Sequence, residues 1–244
     1  MRFPEFLKKN GTIGFVAPSF GCNREPYKTS FEHALEKFHS MGYQTTLGPN
    51  CFEGSGIGIS NTPEKCAAEL NKMYLSDEAD AIISCGGGEL MCEILDDVDF
   101  DAIKAAKPKW YMGYSDNTNF TFLLTTICDV ASIYGPCAGT FGMEPWDESI
   151  EDCFSLFTGK KLTMQSYPLW EKEGLRDEEH PLEPYNLTEQ SLVRSFMTKK
   201  DQAGEVQALE TEGTIEFKGR LIGGCMDCLV NLTGTKFDQV KSFN

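Results

Sequence analysis

The feature that most constrains this chain is the steady alternation of short apolar runs with helical patterns through its first 160 residues. Parallel strands need long crossover connections, usually helices, so this rhythm specifies an α/β fold, a mostly parallel sheet flanked by helices. Thr12-Ile13-Gly14-Phe15-Val16-Ala17 reads as the first buried strand, stopped by Pro18. A helix follows with Phe31, Leu35, Phe38 and Met41 on one face, Thr29 and Glu32 as a capping box and Gly42 as terminator. After the loop Gly54-Ser55-Gly56-Ile57-Gly58, Thr62 and Pro63 open a second helix whose Cys66, Leu70, Met73 and Tyr74 share a face.

The next strand, Ala81-Ile82-Ile83-Ser84-Cys85, runs into Gly86-Gly87-Gly88 and another helix. The apolar run Trp110-Tyr111-Met112 then leads through Gly113-Tyr114-Ser115-Asp116 into a helix burying Phe120, Leu123, Leu124 and Ile127. Val130 to Tyr134 reads as a further strand, and a helix with Ile150, Cys153, Phe154 and Phe157 ends at Gly159. Beyond Lys160 the character changes. Residues 165–190, rich in Pro, Glu, Asp and Tyr, read as a long connection with Trp170 near its start. Residues 191–218 look β-rich, with a strand at Thr214–Phe217, and a short apolar helix follows Leu221-Ile222-Gly223-Gly224. The expected organisation is an N-terminal domain over 1–160, a linker over 161–190 and an incomplete β-rich domain over 191–244.

Composition removes several function classes. The 37 acidic residues outnumber 22 basic ones, giving a net charge of −15, and no Lys/Arg cluster is present to displace counterions from phosphate. Nucleic acid and anionic membranes are therefore not expected partners. No run approaches the roughly 20 apolar residues of a membrane span. The N-terminus lacks the apolar core and cleavage site of a signal peptide, so a cytoplasmic setting is expected. The ten cysteines include Cys66, Cys85, Cys92, Cys128 and Cys153 in apolar segments, as buried thiols would be. The lone Cys225-x-x-Cys228 reads as core packing, and no metal or cofactor is expected.

Three stretches carry candidate chemistry. Ser115, on a sharp strand-to-helix turn, is either a nucleophile with the Asp116 amide beside it or simply a helix N-cap. Its motif departs from Gly-x-Ser-x-Gly at Asn117. The Gly86–Gly88 loop either presents amides to an anion or makes a tight turn. Cys85, at a strand end before glycines, is either a rival amidotransferase-like nucleophile or a buried strand thiol, with no cation nearby to lower its pKa. A non-catalytic ligand-binding module remains the alternative to an enzyme. His33, His39 and His180 are the only histidines, and no spacing puts one near Ser115.

Taken in order, several stretches resemble the LD-carboxypeptidase family of serine peptidases, which includes the microcin C immunity proteins. They are Gly11 to Pro18, Ala81-Ile82-Ile83 with Gly87-Gly88, Glu93-Ile94-Leu95 with Val98-Asp99, Pro108-Lys109, Gly113-Tyr114-Ser115-Asp116, Gly135-Pro136, Gly219 to Gly224, and Gly234-Thr235. The resemblance implies a Rossmann-like N-terminal domain joined to a small β-rich one, with the active site between them in a homodimer. It implies Ser115 as nucleophile and the amides of Asp116, Gly87 and Gly88 as the oxyanion hole. The bond cleaved would be an amide, in an L,D-peptide of murein or in a peptidyl or aminoacyl nucleotide. The stretch around Trp170 resembles the immunity-type branch, whose loop there encloses the nucleotide. The family's triad is completed by a Glu and a His after the Gly-Thr segment. None of the three histidines matches by position, so the resemblance implies a C-terminally truncated chain that is nearly inactive alone.

Overall fold

The computed structural model describes residues 1–200, 202, 204–211 and 215–243. Five strands form one parallel sheet: β1 (Thr12–Val16), β2 (Gln44–Leu47), β3 (Ala81–Ser84), β4 (Tyr111–Gly113) and β5 (Ile133–Tyr134), in the order β2-β1-β3-β4-β5. The helices are α1 (Tyr27–Ser40), α2 (Pro63–Leu75), α3 (Phe100–Ala105), α4 (Thr118–Thr126), α5 (Glu148–Phe157) and, further on, α6 (Met226–Leu232).

The pleat sorts the strand residues between two cores, since alternate side chains point to opposite faces. Ile13, Phe15, Ala81, Ile83 and Met112 pack with Phe31 and Phe38 of α1 and with Phe154 and Phe157 of α5. Val16, Ile82 and Tyr111 pack instead with Leu70, Met73 and Tyr74 of α2 and with Phe120, Leu123 and Leu124 of α4. Both faces are covered, which is why β3 and β4 read as unbroken apolar runs. Helix α4 is a poor helix former by composition, with four threonines, yet all nine of its residues are buried. Tertiary packing overrides propensity here, and Thr121, Thr125 and Thr126 satisfy their hydroxyls on the carbonyls of Asn117, Thr121 and Phe122.

Contact density divides the described chain into two units. Met1–Gln165, Leu175–Tyr185 and Ile222–Asn244 make the first, and Ser166–Gly174 with Asn186–Leu221 the second. The second holds two antiparallel pairs, β6 (Leu169–Glu171) with β7 (Leu187–Gln190) and β8 (Ser195–Lys200) with β9 (Val206–Thr211).

Several local expectations are corrected. Helix α1 starts two residues before Thr29, whose amide and hydroxyl donate to the Glu25 carboxylate, so no Thr29/Glu32 box forms. The strand expected at Val130–Tyr134 pairs with β4 only at Ile133 and Tyr134, because Val130 bridges to Arg2 instead. The helix expected directly after Gly88 is a 3-10 turn, Met91–Ile94, followed by the short α3. That turn points Met91 and Ile94 inward and leaves Cys92 exposed, against the buried thiol expected there. The stretch read as a connection over 165–190 contains β6 and β7, strands too short to show a period in the sequence. Of the strand expected at Thr214–Phe217, Thr214 lies outside the described residues and Ile215–Phe217 are not in a strand.

Candidate active site

The sheet order places β1 and β3 side by side, with their onward connections leading to opposite sides of the sheet. Ligand crevices in open α/β sheets form outside the carboxyl ends of strands at such a reversal. A cavity of about 360 Å³ lies there, bordered by Phe20 and Arg24 after β1, the Gly86–Gly88 loop after β3, and Tyr114 and Ser115 after β4.

Ser115 sits in the left-handed region, with φ of +60°. A non-glycine residue there costs about 1–2 kcal/mol, so the surrounding bonds must hold it. Its amide donates to the Tyr134 hydroxyl at 3.0 Å, and its carbonyl accepts from the Thr118 amide and lies 3.6 Å from the Cys228 thiol. The N-cap reading fails on geometry, because α4 is capped by Asn117 without a side-chain bond. Replacing Ser115 by glycine is expected to relieve the strained backbone and raise stability by about 1 kcal/mol. Urea unfolding checks this, and a loss of stability would show that the turn carries no strain.

The glycine loop meets Ser115 directly. A Cβ on Gly87 would fall 3.1 Å from the Ser115 Cβ and 3.4 Å from its hydroxyl, so Gly87 leaves bare backbone against the serine. The Gly87 carbonyl accepts from the Phe20 amide at 2.8 Å, which ties this loop to the one after β1.

Asp116 is buried, and its carboxylate is a junction. Oδ2 accepts from the Ser19 hydroxyl at 2.5 Å and the Met91 amide at 2.8 Å, and Oδ1 accepts from Asn119 Nδ2 at 2.9 Å. Asn117, where an elbow motif would have glycine, donates to the Gly86 carbonyl at 2.8 Å and accepts from the Tyr111 hydroxyl at 2.6 Å. Its side chain lies over Gly113, where a Cβ would come within 2.7 Å of Asn117 Cγ. The departure from the motif is therefore a strut between the β3 and β4 loops. Ser19 and Tyr134 escaped the sequence reading because their partners at the site lie 97 and 19 residues away.

Cys85 borders the same cavity, but burial, with Cys22 and Cys51 alongside, pushes its thiol well above the ordinary value. That burial disfavours the thiolate that a cysteine nucleophile needs. The thiol of Cys228 is pushed up to about 12, chiefly by burial. The histidine rings are engaged elsewhere: His33 Nδ1 with the Gly142 carbonyl, His39 Nε2 with the Thr45 hydroxyl and His180 Nδ1 with Asp177. Trp170 lies on β6 in the second unit, half exposed. No helix among the described residues is long and apolar enough to cross a membrane, and no cluster of three His, Cys, Asp or Glu among them is arranged to hold a metal.

Fold and site together define an α/β protein with a serine raised on a strained turn beside a glycine loop. Residues 13–135 match the LD-carboxypeptidase N-terminal domain, and the chain belongs to that family. It is 29% identical over 234 residues to the microcin C7 self-immunity protein MccF of Escherichia coli, covering 95% of this chain and 63% of that protein. It is also 29% identical over 140 residues to a probable murein peptide carboxypeptidase of Bacillus subtilis, covering 56% of this chain and 41% of the relative. The chain thus spans less than two thirds of the length of either curated relative. The fold matches wild-type MccF without ligand at a TM-score of 0.78 and 24% identity, over 97% of this chain and 67% of that one. MccF in complex with glutamyl sulfamoyl guanosine matches at 0.77 and 24% identity, over 96% and 66%.

Proposed function

We propose that Ser115 is the nucleophile of a serine hydrolase that cleaves an amide-type bond in a small substrate, an L,D-peptide or an aminoacyl nucleotide. The observation that carries this reading is the positive φ of Ser115 at a strand end, beside the bare backbone of Gly87. Such a turn holds the hydroxyl clear of the sheet, where it can attack a carbonyl carbon. The amides of Asp116, Gly87 and Gly88 would donate to the oxygen that becomes negative as the tetrahedral intermediate forms. The two substrate classes come from the relatives: one is named a murein peptide carboxypeptidase, and MccF has been solved with glutamyl and aspartyl sulfamoyl nucleosides.

A serine hydroxyl needs a base to take its proton. In this reading that base is none of His33, His39 and His180, whose rings bond elsewhere. The 244-residue chain alone is then expected to turn substrate over only at the residual rate that binding and oxyanion donors support. The test is labelling of the chain with a fluorophosphonate, read by peptide mass. Slow modification of Ser115 is expected, unchanged by alanine at any of the three histidines and abolished in Ser115→Ala. Modification elsewhere with Ser115 untouched would remove the nucleophile from the reading.

A further inference from the structure

Two guanidinium groups share the cavity with Ser115. Arg24 arrives on the loop after β1, and Arg176 from the docked segment Leu175–Tyr185, and both line the cavity. Arg24 Cζ lies 5.4 Å from the centre of the Phe20 ring, and Arg176 Cζ lies 5.5 Å from that of Tyr27. Phe20 and Tyr27 pack edge to face, 5.2 Å between centroids. The four side chains thus form one continuous row, Arg24, Phe20, Tyr27, Arg176. Phe20 in turn rests on Gly86, where a Cβ would come within 3.0 Å of its ring.

The other arginines are all engaged. Arg2 donates to the carbonyls of Lys104, Ala106 and Cys128, Arg194 grips both oxygens of Glu210, and Arg220 has partners of its own. Among the described residues, neither Arg24 nor Arg176 has a carboxylate within ion-pair distance. That is notable in a chain with 37 acidic residues and a net charge of −15. The cavity itself departs from that balance, because among the described residues Glu89 is the only carboxylate lining it. A guanidinium held over an aromatic ring leaves its donor fork free for two-pronged recognition of a carboxylate or phosphate.

We propose that Arg24 and Arg176 form an anion clamp at the mouth of the Ser115 cavity, binding a carboxylate or phosphoryl group of the ligand. That this ligand is also the substrate of Ser115 rests on the reading above. The clamp sets specificity for the charged end of the molecule. A peptide would present its free C-terminal carboxylate, and a nucleotide its phosphate.

The test is binding to the 244-residue chain by calorimetry, with four probes. They are an L,D-tetrapeptide with a free C-terminal carboxylate, the same peptide as its C-terminal amide, AMP, and adenosine. Binding of at least one anionic probe, with its neutral counterpart at least tenfold weaker, is expected. The anionic probe that binds identifies the source. Arg24→Ala and Arg176→Ala should each weaken that probe by about 10- to 100-fold, the span of a charge-assisted hydrogen bond. Arg24→Lys and Arg176→Lys should fall between, since they keep the charge and lose the fork. Arg194→Ala should leave binding unchanged. Equal binding of charged and neutral probes, binding of none of the four, or wild-type affinity in both alanine variants would overturn the clamp. So would equal weakening by Arg194→Ala. Anion binding by a chain whose Ser115 is not labelled would sink the hydrolase and keep the clamp.

Discussion

Replacing Asp116 by alanine is expected to lower the unfolding free energy by roughly 3 kcal/mol or more, since each buried donor left unsatisfied costs about 1–3 kcal/mol. Asp116 is 4% exposed, and its carboxylate takes donors from the Ser19 hydroxyl, the Met91 amide and the Asn119 side chain, with the Cys228 thiol 3.9 Å from Oδ1. Alanine leaves all three without this acceptor in a space that water does not freely enter. For a chain of this size the midpoint of thermal unfolding should fall by roughly 10 °C. Asp116→Asn keeps the volume and one acceptor oxygen, so a smaller loss is expected, about 1–3 kcal/mol, from the donor then facing its amide nitrogen. Thermal and urea unfolding of the two variants measure both. If both stay within about 0.5 kcal/mol of wild type, the level of an ordinary surface substitution, the carboxylate does not hold the loops together.

Gly88→Ala should be as costly, for a different reason. The backbone at Gly88 has a φ of +152°, which L side chains rarely adopt, and a Cβ there would lie 2.0 Å from the Ser19 hydroxyl and 2.4 Å from the Gly58 carbonyl. The hydroxyl can rotate, but the Gly58 carbonyl is backbone and must shift. Overpacking of this kind costs about 1–3 kcal/mol and backbone strain adds about as much, so a loss of about 3 kcal/mol or more is expected by urea unfolding. Gly87→Ala separates stability from access. Its Cβ would press on the Ser115 side chain, at 3.1 Å and 3.4 Å, and meet the Tyr114 carbonyl at an ordinary contact distance of 3.8 Å. The fold should survive that change, while fluorophosphonate labelling of Ser115 slows at least tenfold. Loss of stability in both variants alike would mean the loop is built for packing alone.

What the sequence made legible was local. β1, β3 and β4 announce themselves because they are buried on both faces and so carry apolar residues without interruption. Helix α2 was readable from its first turn, since proline at the first helical position after a threonine is a backbone signal that needs no partner. The strand order was not readable. Which strands lie side by side depends on pairings tens of residues apart, and that order is what puts the cavity at the ends of β1 and β3. At the site, the turn at Ser115 and the bare backbone at Gly87 followed from residue type. The charged row Arg24 to Arg176 did not, because the two arginines are 152 positions apart and nothing local marks either. Asp116 misled in an informative way: its neighbour's chemistry drew attention to its amide, while its side chain proves to be the anchor.

The contacts of Cys225 and Cys228 with the serine turn bear on the order in which a growing chain can complete that turn. The Cys225 amide donates to the Thr118 hydroxyl at 2.8 Å, across 107 positions, and the Cys228 thiol lies on the Ser115 carbonyl. During synthesis the sheet has all five of its strands once Tyr134 has emerged. The outer side of the serine turn must wait for about ninety more residues, on the order of 5–20 s at ordinary rates of translation. A ribosome stalled in that interval would display a folded sheet whose serine turn still lacks its last wall.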